Sequence, residues 1–130
     1  SVPTGLYMMT NQMPVKGDFA IVSLPEATAA LAEARGYLPA RFRLIKPVVA
    51  GSGDTVCRSG LVVTIDGRLL AVAEEFDTRQ RPLPQWDGCH RLTRSQLFVI
   101  SSSQSSFDSR YIGPILVRHV WGTAVPIWTR

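Results

Sequence analysis

The chain of 130 residues has the length and composition of one globular domain with its own core, because 45% of its residues are hydrophobic and 18% are charged. No apolar run approaches the roughly 20 residues of a membrane-spanning helix. The net charge of +4 comes from scattered basic residues, which argues against nucleic acid as a partner. We predict a single domain over residues 1–130, with any membrane anchor outside this sequence.

The N-terminal third predicts a strand followed by a helix. Residues 19–23 (FAIVS) form an apolar run after a turn. Ser23 stands three residues before Glu26, which is the spacing of a capping box, and Pro25 is tolerated in a first helical turn. Small apolar residues then recur on one helical face as far as Gly36, which can end a helix. This is the only helix that the pattern supports.

The rest of the chain predicts β structure. Pro47 interrupts an apolar strand and favours an edge or bulged position. Asp66 and Gly67 are a two-residue hairpin signal between two apolar runs, whereas residues 77–91 are predicted to form a loop. Strands are predicted at residues 43–50, 61–65, 68–73, 97–100, 115–120 and 123–128. The predicted fold class is mainly β, an antiparallel domain with one short inserted helix.

The two cysteines, Cys57 and Cys89, match no CxxC or zinc-ligand spacing. An even pair in a small β-rich domain favours one disulfide in an oxidising compartment, with two buried thiols as the alternative. The bridge would close a loop of about 30 residues and stabilise the fold by about 3 kcal/mol on the chain-entropy model. No metal site and no cofactor is expected.

Two segments place a reactive group where its environment would activate or aim it. Ser1 precedes a turn rich in proline and glycine, which suits a rigidly aimed nucleophile; a frayed terminus is the alternative. Lys46 lies in the middle of an apolar run. If its side chain points inward, desolvation lowers its pKa, and the neutral amine can take a proton from a serine hydroxyl. The alternative is that strand alternation points Lys46 at solvent.

A third segment, residues 105–114, is rich in small polar residues. Asp108 and Arg110 can pair there across a tight bend, and Ser106 can form a hydrogen bond nearby. A surface turn is the alternative interpretation.

These segments, in this order, resemble those of the type I signal peptidases, and most closely the TraF-type conjugative-transfer branch. Residues 1–7 (SVPTGLY) and 17–22 (GDFAIV) match the nucleophile segment and the strand that follows it. Residues 46–56 (KPVVAGSGDTV) match the lysine segment, with proline in place of an arginine. Residues 106–113 (SFDSRYIG) match the last segment, but the preceding Gly-Asp-Asn-Arg stretch of the housekeeping enzymes is replaced by residues 101–104 (SSSQ).

The resemblance implies a serine endopeptidase and a role for each matched residue. Ser1 would attack the scissile carbonyl, and its backbone N–H would contribute to the oxyanion hole. Lys46 would be the general base and would later protonate the leaving amine. Ser106 would orient the lysine amine, and Asp108 would hold its loop against Arg110.

The implied substrate is a membrane-tethered pilin precursor, cut at the periplasmic face of the bacterial inner membrane during conjugative transfer. The product is released by water or cyclised by an amine. Val2, Pro3, Met8 and Met9 are predicted to line the substrate cleft or to contact lipid, because methionine is adaptable at binding surfaces. The alternative is that the methionines belong to the core of a first strand.

Three other functional interpretations remain open. A non-catalytic β-module of a conjugation or secretion apparatus would have Lys46 exposed. An N-terminal nucleophile hydrolase would use the α-amine of Ser1 as its own base. A Ser-His-Asp triad would need His90 or His119, neither of which lies near the serine motif in sequence.

Overall fold

The computed structural model describes residues 3–38 and 43–129, and their strands form two antiparallel sheets. Ser1 and Val2, predicted as nucleophile and cleft residue, lie outside the described residues. In chain order the strands are β1 (Gly5–Thr10), β2 (Phe19–Val22), β3 (Leu44–Ala50), β4 (Thr55–Ser59), β5 (Val62–Ile65), β6 (Arg68–Val72), β7 (Gly88–Arg91), β8 (Gln96–Val99), β9 (Ile115–Leu116) and β10 (Val120–Thr129).

The larger sheet has the strand order β1-β10-β2-β3-β8-β9, and the smaller one has the order β6-β5-β4-β7. Every pairing between these strands is antiparallel, so the prediction of a mainly β, antiparallel fold is confirmed. The described residues contain two helices, α1 (Glu26–Ala34) and α2 (Ser109–Ile112), where one was predicted. Neither is long and apolar enough to cross a membrane.

Helix α1 begins differently from the prediction. Pro25 occupies the position before the first helical residue, and no side chain caps the helix. The capping box predicted at Ser23 is therefore wrong, because Ser23 still belongs to the extended chain after β2, where its N–H donates to the carbonyl of His119 over 2.8 Å. The predicted end is confirmed: Gly36 adopts a φ of +73°, which glycine accepts without the steric cost of a side chain.

Three further predictions of local structure need correction. The strand predicted at residues 115–120 is interrupted by a 3₁₀ turn at Val117–His119. Part of the loop predicted at residues 77–91 is strand β7, whose four residues are exposed and which pairs with β4. An exposed strand shows no alternation of burial, so its sequence carries no period-2 signal. Helix α2 was missed because four residues are too few to display helical periodicity.

The hairpin and the proline-containing strand follow the predictions more closely. Asp66 and Gly67 have φ values of +47° and +82°, as a two-residue turn between β5 and β6 requires. Strand β3 runs through Pro47, which pairs regularly with Phe19 of β2, and the register shift against β8 lies further along, between Val48 and Ala50. The strand does not lie at an edge, because β2 and β8 pair with it on either side.

Apolar side chains pack in three buried clusters. One joins both sheets, with Ala50 and Phe98 from the larger sheet and Val56, Val63 and Ile65 from the smaller one. A second consists of side chains from β2, β3, β8 and β9 of the larger sheet. The third packs α1 and α2 together. Helix α2 therefore sits against buried structure and not on a surface turn.

The predicted disulfide between Cys57 and Cys89 is present and joins directly opposed residues of β4 and β7. We expect the double variant Cys57→Ser/Cys89→Ser to lose about 3 kcal/mol in free energy of unfolding, because the bridge closes a 32-residue separation. Urea unfolding measures the loss. Reduction of the native protein should reproduce it, and an unchanged midpoint in either experiment would contradict the expectation.

Candidate active site

Lys46 points into the protein. Along β3, Lys46, Val48 and Ala50 are buried in alternation with partly exposed neighbours, and Lys46 retains only 7% of its exposure. Burial lowers the pKa of Lys46, because desolvation disfavours the ammonium form. Of the two orientations that the sequence allowed, the structure has the one in which a lysine can become a base.

Two charged side chains tune this lysine. The nearby carboxylate of Asp108 raises the pKa of Lys46 and the guanidinium of Arg110 lowers it, both more weakly than desolvation does. The pKa of Lys46 is therefore lowered overall. The three charges form one electrostatic group, which the sequence had placed in two separate segments.

Asp108 and Arg110 pair, as predicted, and the ion pair is buried and bidentate. Asp108 caps the N-terminus of α2, and its two carboxylate oxygens accept from Nε and Nη2 of Arg110 over 2.8 and 3.0 Å. The exposed fractions of the two residues are 1% and 2%. The carboxylate also accepts from the backbone N–H of Ser101 over 2.8 Å, and Nη2 of Arg110 donates to the carbonyl of Ser101 over the same distance. The pair therefore fixes the chain just after β8.

The sheet register explains why this pair reaches Lys46. Val48 of β3 lies opposite Val99 of β8, and the N–H of Ile100 donates to the carbonyl of Pro47. Because the two chains run antiparallel, the next residue in the same direction is Lys46 on β3 and Ser101 in the segment after β8. The segment that Asp108 and Arg110 hold is thus the neighbour of the lysine.

Comparison with known proteins identifies the family of this chain. Residues 1–129 match the family model described as signal peptidase, peptidase S26. The chain belongs to this peptidase family.

Its curated relatives include two conjugation proteins. The plasmid transfer protein TraF of Escherichia coli is 31% identical over 126 residues, which cover 88% of this chain and 71% of the relative. The conjugal transfer protein TraF of Agrobacterium fabrum is 34% identical over 140 residues, which cover 99% and 78%. A crystal structure of signal peptidase I from Enterococcus faecalis is similar with a TM-score of 0.49 and 18% identity, over 88% of this chain and 98% of that one.

The other described residues that were predicted for the site lie on two segments, β1 with the residues before it and the connection between β8 and α2. Ser106 is half-buried on the segment between β8 and α2, and it lines a pocket that is described below. Pro3 is exposed, and its carbonyl accepts a hydrogen bond from the hydroxyl of Tyr7. Met8 and Met9 are 52% and 51% exposed on β1, so the alternative that they are core residues is wrong. That Ser1 lies close to Lys46 stays a prediction.

The two histidines lie elsewhere. The ring of His90 packs against Trp86 with 5.6 Å between ring centroids and lies within hydrogen-bonding distance of the Asp87 carbonyl. His119 belongs to the 3₁₀ turn that precedes β10. Neither has a described contact with Lys46 or Asp108.

Sequence reasoning missed two residues that hold α2. Arg58 is 2% exposed, and its Nη1 donates to the carbonyl of Arg110 over 2.7 Å. Nε1 of Trp86 donates to the carbonyls of Ser109 and Arg110 over 3.0 and 3.1 Å. Arg58 lies two residues after the buried Val56 on β4, and therefore on the same face, so the period of that strand carried a signal that Arg58 points inward. Its charge hid this signal, because arginine is seldom fully buried without a partner.

We expect Arg58→Met to lose about 2 kcal/mol in free energy of unfolding, because it leaves the buried carbonyl of Arg110 without its charged donor. Arg58→Lys should lose less, since an ammonium can still donate to one carbonyl. Urea unfolding followed by circular dichroism measures both. Arg68→Met, on an exposed position of β6, is the control and should change stability little. Equal stabilities of the Met variants at the two positions would show that the contact of Arg58 contributes nothing.

Proposed function

We propose that this member of the signal peptidase family is a serine endopeptidase in which Ser1 and Lys46 form the catalytic dyad. The observation that carries the proposal is a buried lysine of lowered pKa in the chain of a signal peptidase family member. Surface lysines remain charged at neutral pH and cannot accept a proton. The burial of Lys46 also argues against the non-catalytic module, which would have no use for a desolvated amine.

In the proposed reaction, the Oγ of Ser1 attacks the scissile carbonyl while Nζ of Lys46 accepts its proton. The tetrahedral intermediate collapses with cleavage of the C–N bond, and Lys46 gives the proton to the leaving amine. The acyl group remains on Ser1 until water or an amine attacks it, and Lys46 takes the proton of the attacking group. As the bond between the acyl carbon and the Oγ of Ser1 breaks, Lys46 returns that proton to the Oγ. Water yields a hydrolysed product, and an amine of the same substrate yields a cyclic one.

Three neighbours support Lys46 in this scheme. Asp108 and Arg110 have opposed effects on the pKa of the lysine, and their ion pair holds the segment beside it. Ser106 lies two residues before Asp108 and is proposed to orient the amine through its hydroxyl.

The proposed substrate is a membrane-tethered pilin precursor processed during conjugative transfer. The names of the relatives, plasmid transfer and conjugal transfer protein, support a role in conjugation. The disulfide supports an oxidising compartment such as the periplasm.

We further propose that the edge of the larger sheet rests on the inner-membrane surface. Large apolar side chains are exposed along β1 and β10, where tryptophans suit a membrane–water interface. These side chains are Leu6, Met8, Met9, Trp121, Val125, Ile127 and Trp128. The guanidinium of Arg43 lies 3.6 Å from the centroid of the Trp121 ring, which places a positive charge beside them for anionic headgroups.

We expect Met8→Ser/Met9→Ser to reduce co-sedimentation with anionic vesicles severalfold, because two exposed apolar side chains no longer enter the interface. Leu69→Ser removes an apolar side chain of the smaller sheet that is 67% exposed, more than either methionine, and is the control. Equal losses in both variants would contradict a membrane surface located at β1 and β10.

Labelling with a serine-reactive fluorophosphonate, followed by mass spectrometry, tests the dyad. The proposal expects one adduct, on Ser1, that forms far more slowly in Lys46→Ala. An adduct on Ser1 that forms equally fast in that variant would favour the N-terminal nucleophile mechanism. An adduct on another residue, or none, would contradict serine catalysis by Ser1.

A further inference from the structure

A pocket of about 570 Å³ opens beside the candidate site. It lies between the start of the α1–β3 connection, the segment that follows β6 and the segment that precedes α2. Ser106 lines it, so the residue proposed to orient the lysine amine also forms part of the pocket wall. A cavity of this volume is large enough for one or two amino-acid side chains.

Aromatic side chains form part of the walls of the pocket, namely Tyr37, Phe76, Phe107 and Tyr111. The rings of Tyr37 and Phe107 lie 5.2 Å apart, and those of Phe107 and Tyr111 stack with 5.8 Å between centroids. Both tyrosine hydroxyls are already engaged: Tyr37 donates to the carboxylate of Asp77 over 2.8 Å, and Tyr111 accepts from the N–H of Glu74 over 3.0 Å. The guanidinium of Arg35 already lies 6.0 Å from the centroid of the Tyr37 ring, and Phe107 and Tyr111 are 5% and 4% exposed. The ring of Phe76, which is 44% exposed, is therefore the aromatic surface most open to a ligand.

The charge of the pocket is opposite to that of the protein. The chain has a net charge of +4, yet the described residues that line the pocket include two carboxylates, Glu74 and Asp77, and no lysine or arginine. Asp77 is held by Nε of Arg81 over 2.7 Å. The Glu74 side chain is exposed, and its described contact is with the uncharged amide of Gln104 over 3.2 Å. Glu74 thus supplies a negative charge that Arg81 does not neutralise directly.

Aromatic faces combined with a carboxylate are suited to a cation carried on an apolar stem, because ammonium and guanidinium groups are attracted to the negative faces of rings. We propose that this pocket binds a cationic group of the substrate polypeptide. The group is a lysine or arginine side chain, or a free α-amine, near the bond that is cut. The proposal rests on the proposed function for its assignment of the ligand to a peptide substrate.

Three small probes distinguish the sources of the cation. Nα-acetyl-lysine N-methylamide carries a side-chain ammonium, glycine N-methylamide carries an α-amine, and Nα-acetyl-norleucine N-methylamide is the uncharged match of the first. Titration of the protein, with its aromatic residues ¹³C-labelled, follows binding at Phe76, Tyr37, Phe107 and Tyr111 by NMR. We expect at least one cationic probe to bind about fivefold or more tightly than the norleucine probe. Preference for the lysine probe indicates a side-chain subsite, and preference for the glycine probe indicates a site for an amine terminus.

Glu74→Gln keeps the shape of the side chain and the backbone N–H that donates to Tyr111, and it should weaken the cationic probe about threefold to fivefold. Glu75→Gln removes an exposed carboxylate from the next residue, which does not line the pocket, and should leave binding unchanged. Equal binding of the norleucine probe, or equal effects of the two variants, would overturn the proposal.

The binding measurement does not need catalysis, so it separates the two proposals. The same titrations in Lys46→Ala should show the same preference. If no preference appears while Ser1 is labelled in a Lys46-dependent way, the pocket proposal alone is wrong. If the preference holds and Ser1 is not labelled, the peptidase mechanism is wrong and the pocket remains a cation site.

Discussion

Replacing Lys46 with methionine is expected to reduce the rate of peptide cleavage by roughly 10⁴-fold and, at the same time, to stabilise the fold by about 1 kcal/mol. Methionine has a similar length and fills the same buried space without a charge that must be desolvated. The native lysine therefore lowers the free energy of unfolding. A peptidase mechanism explains this loss, because it needs a desolvated amine, whereas a structural role does not. Urea unfolding and the cleavage of a precursor-derived peptide measure the two effects.

The pH dependence of both effects follows from the lowered pKa of Lys46. In the proposed mechanism cleavage needs the neutral amine, so the rate should rise with pH through a pKa below the ordinary value of 10.5. Between the folded pKa and 10.5 the unfolded chain binds the extra proton, so the free energy of unfolding of the native protein rises with pH in that window. The stability advantage of Lys46→Met is therefore greatest below the folded pKa and shrinks as pH approaches 10.5.

The chain has one other lysine, which provides the control. Lys16 is 52% exposed and lies 3.7 Å from a carboxylate oxygen of Asp54. Lys16→Met should leave the rate and its pH profile unchanged, because an exposed ion pair contributes little. A Lys46→Met variant that cleaves at a rate near that of the native protein, or that unfolds more easily, would contradict the proposed role of the lysine.

Replacing Asp108 with asparagine is expected to lower the free energy of unfolding by about 4 kcal/mol, because the change leaves the charge of Arg110 buried without its partner. Asparagine keeps the size of the side chain, so the loss reports charge and not packing. The double variant Asp108→Asn/Arg110→Met removes both charges and should recover part of the loss. Urea unfolding of the single and double variants provides the comparison.

Asp108→Asn should also change the pKa of Lys46, an effect that a merely structural role of Asp108 would not produce. Asp108 raises the pKa of Lys46 and Arg110 lowers it. In protein that is still folded, Asp108→Asn should move the acidic limb of the pH–rate profile to lower pH, and Arg110→Met should move it to higher pH. Asp66→Asn, at the exposed hairpin turn, should move neither the limb nor the unfolding midpoint appreciably. Shifts in the same direction for Asp108→Asn and Arg110→Met would contradict the electrostatic coupling.

Much of the architecture was predictable because its causes are local. The turn at Asp66 and Gly67 needs left-handed backbone conformations that this residue pair accepts, whatever surrounds it. Helix α1 follows from its small apolar residues and from Gly36, and the pairing of Asp108 with Arg110 spans a separation of only two residues. The order of the motifs was also sufficient to indicate the signal peptidase family.

What remained depended on residues that are distant in sequence. The sequence of β3 allowed Lys46 to face either side, because side-chain direction in a strand depends on register, and here β2 and β8 set it. Strand β7 is exposed, so only its pairing with β4 and its disulfide identify it as a strand. The burial of Arg58 likewise became visible only once the carbonyls of α2 lay within reach of its guanidinium.

The amino-acid sequence by itself determined the hairpin turn, the end of helix α1 and the family, because turn conformation and motif spacing act over a few residues. Only the tertiary structure decided that Lys46 loses its water, that Asp108 and Arg110 lie close enough to tune it, and that a partly aromatic pocket adjoins Ser106. Desolvation and charge coupling depend on which surfaces meet in space, and the pairing of β3 with β8 brings these surfaces together.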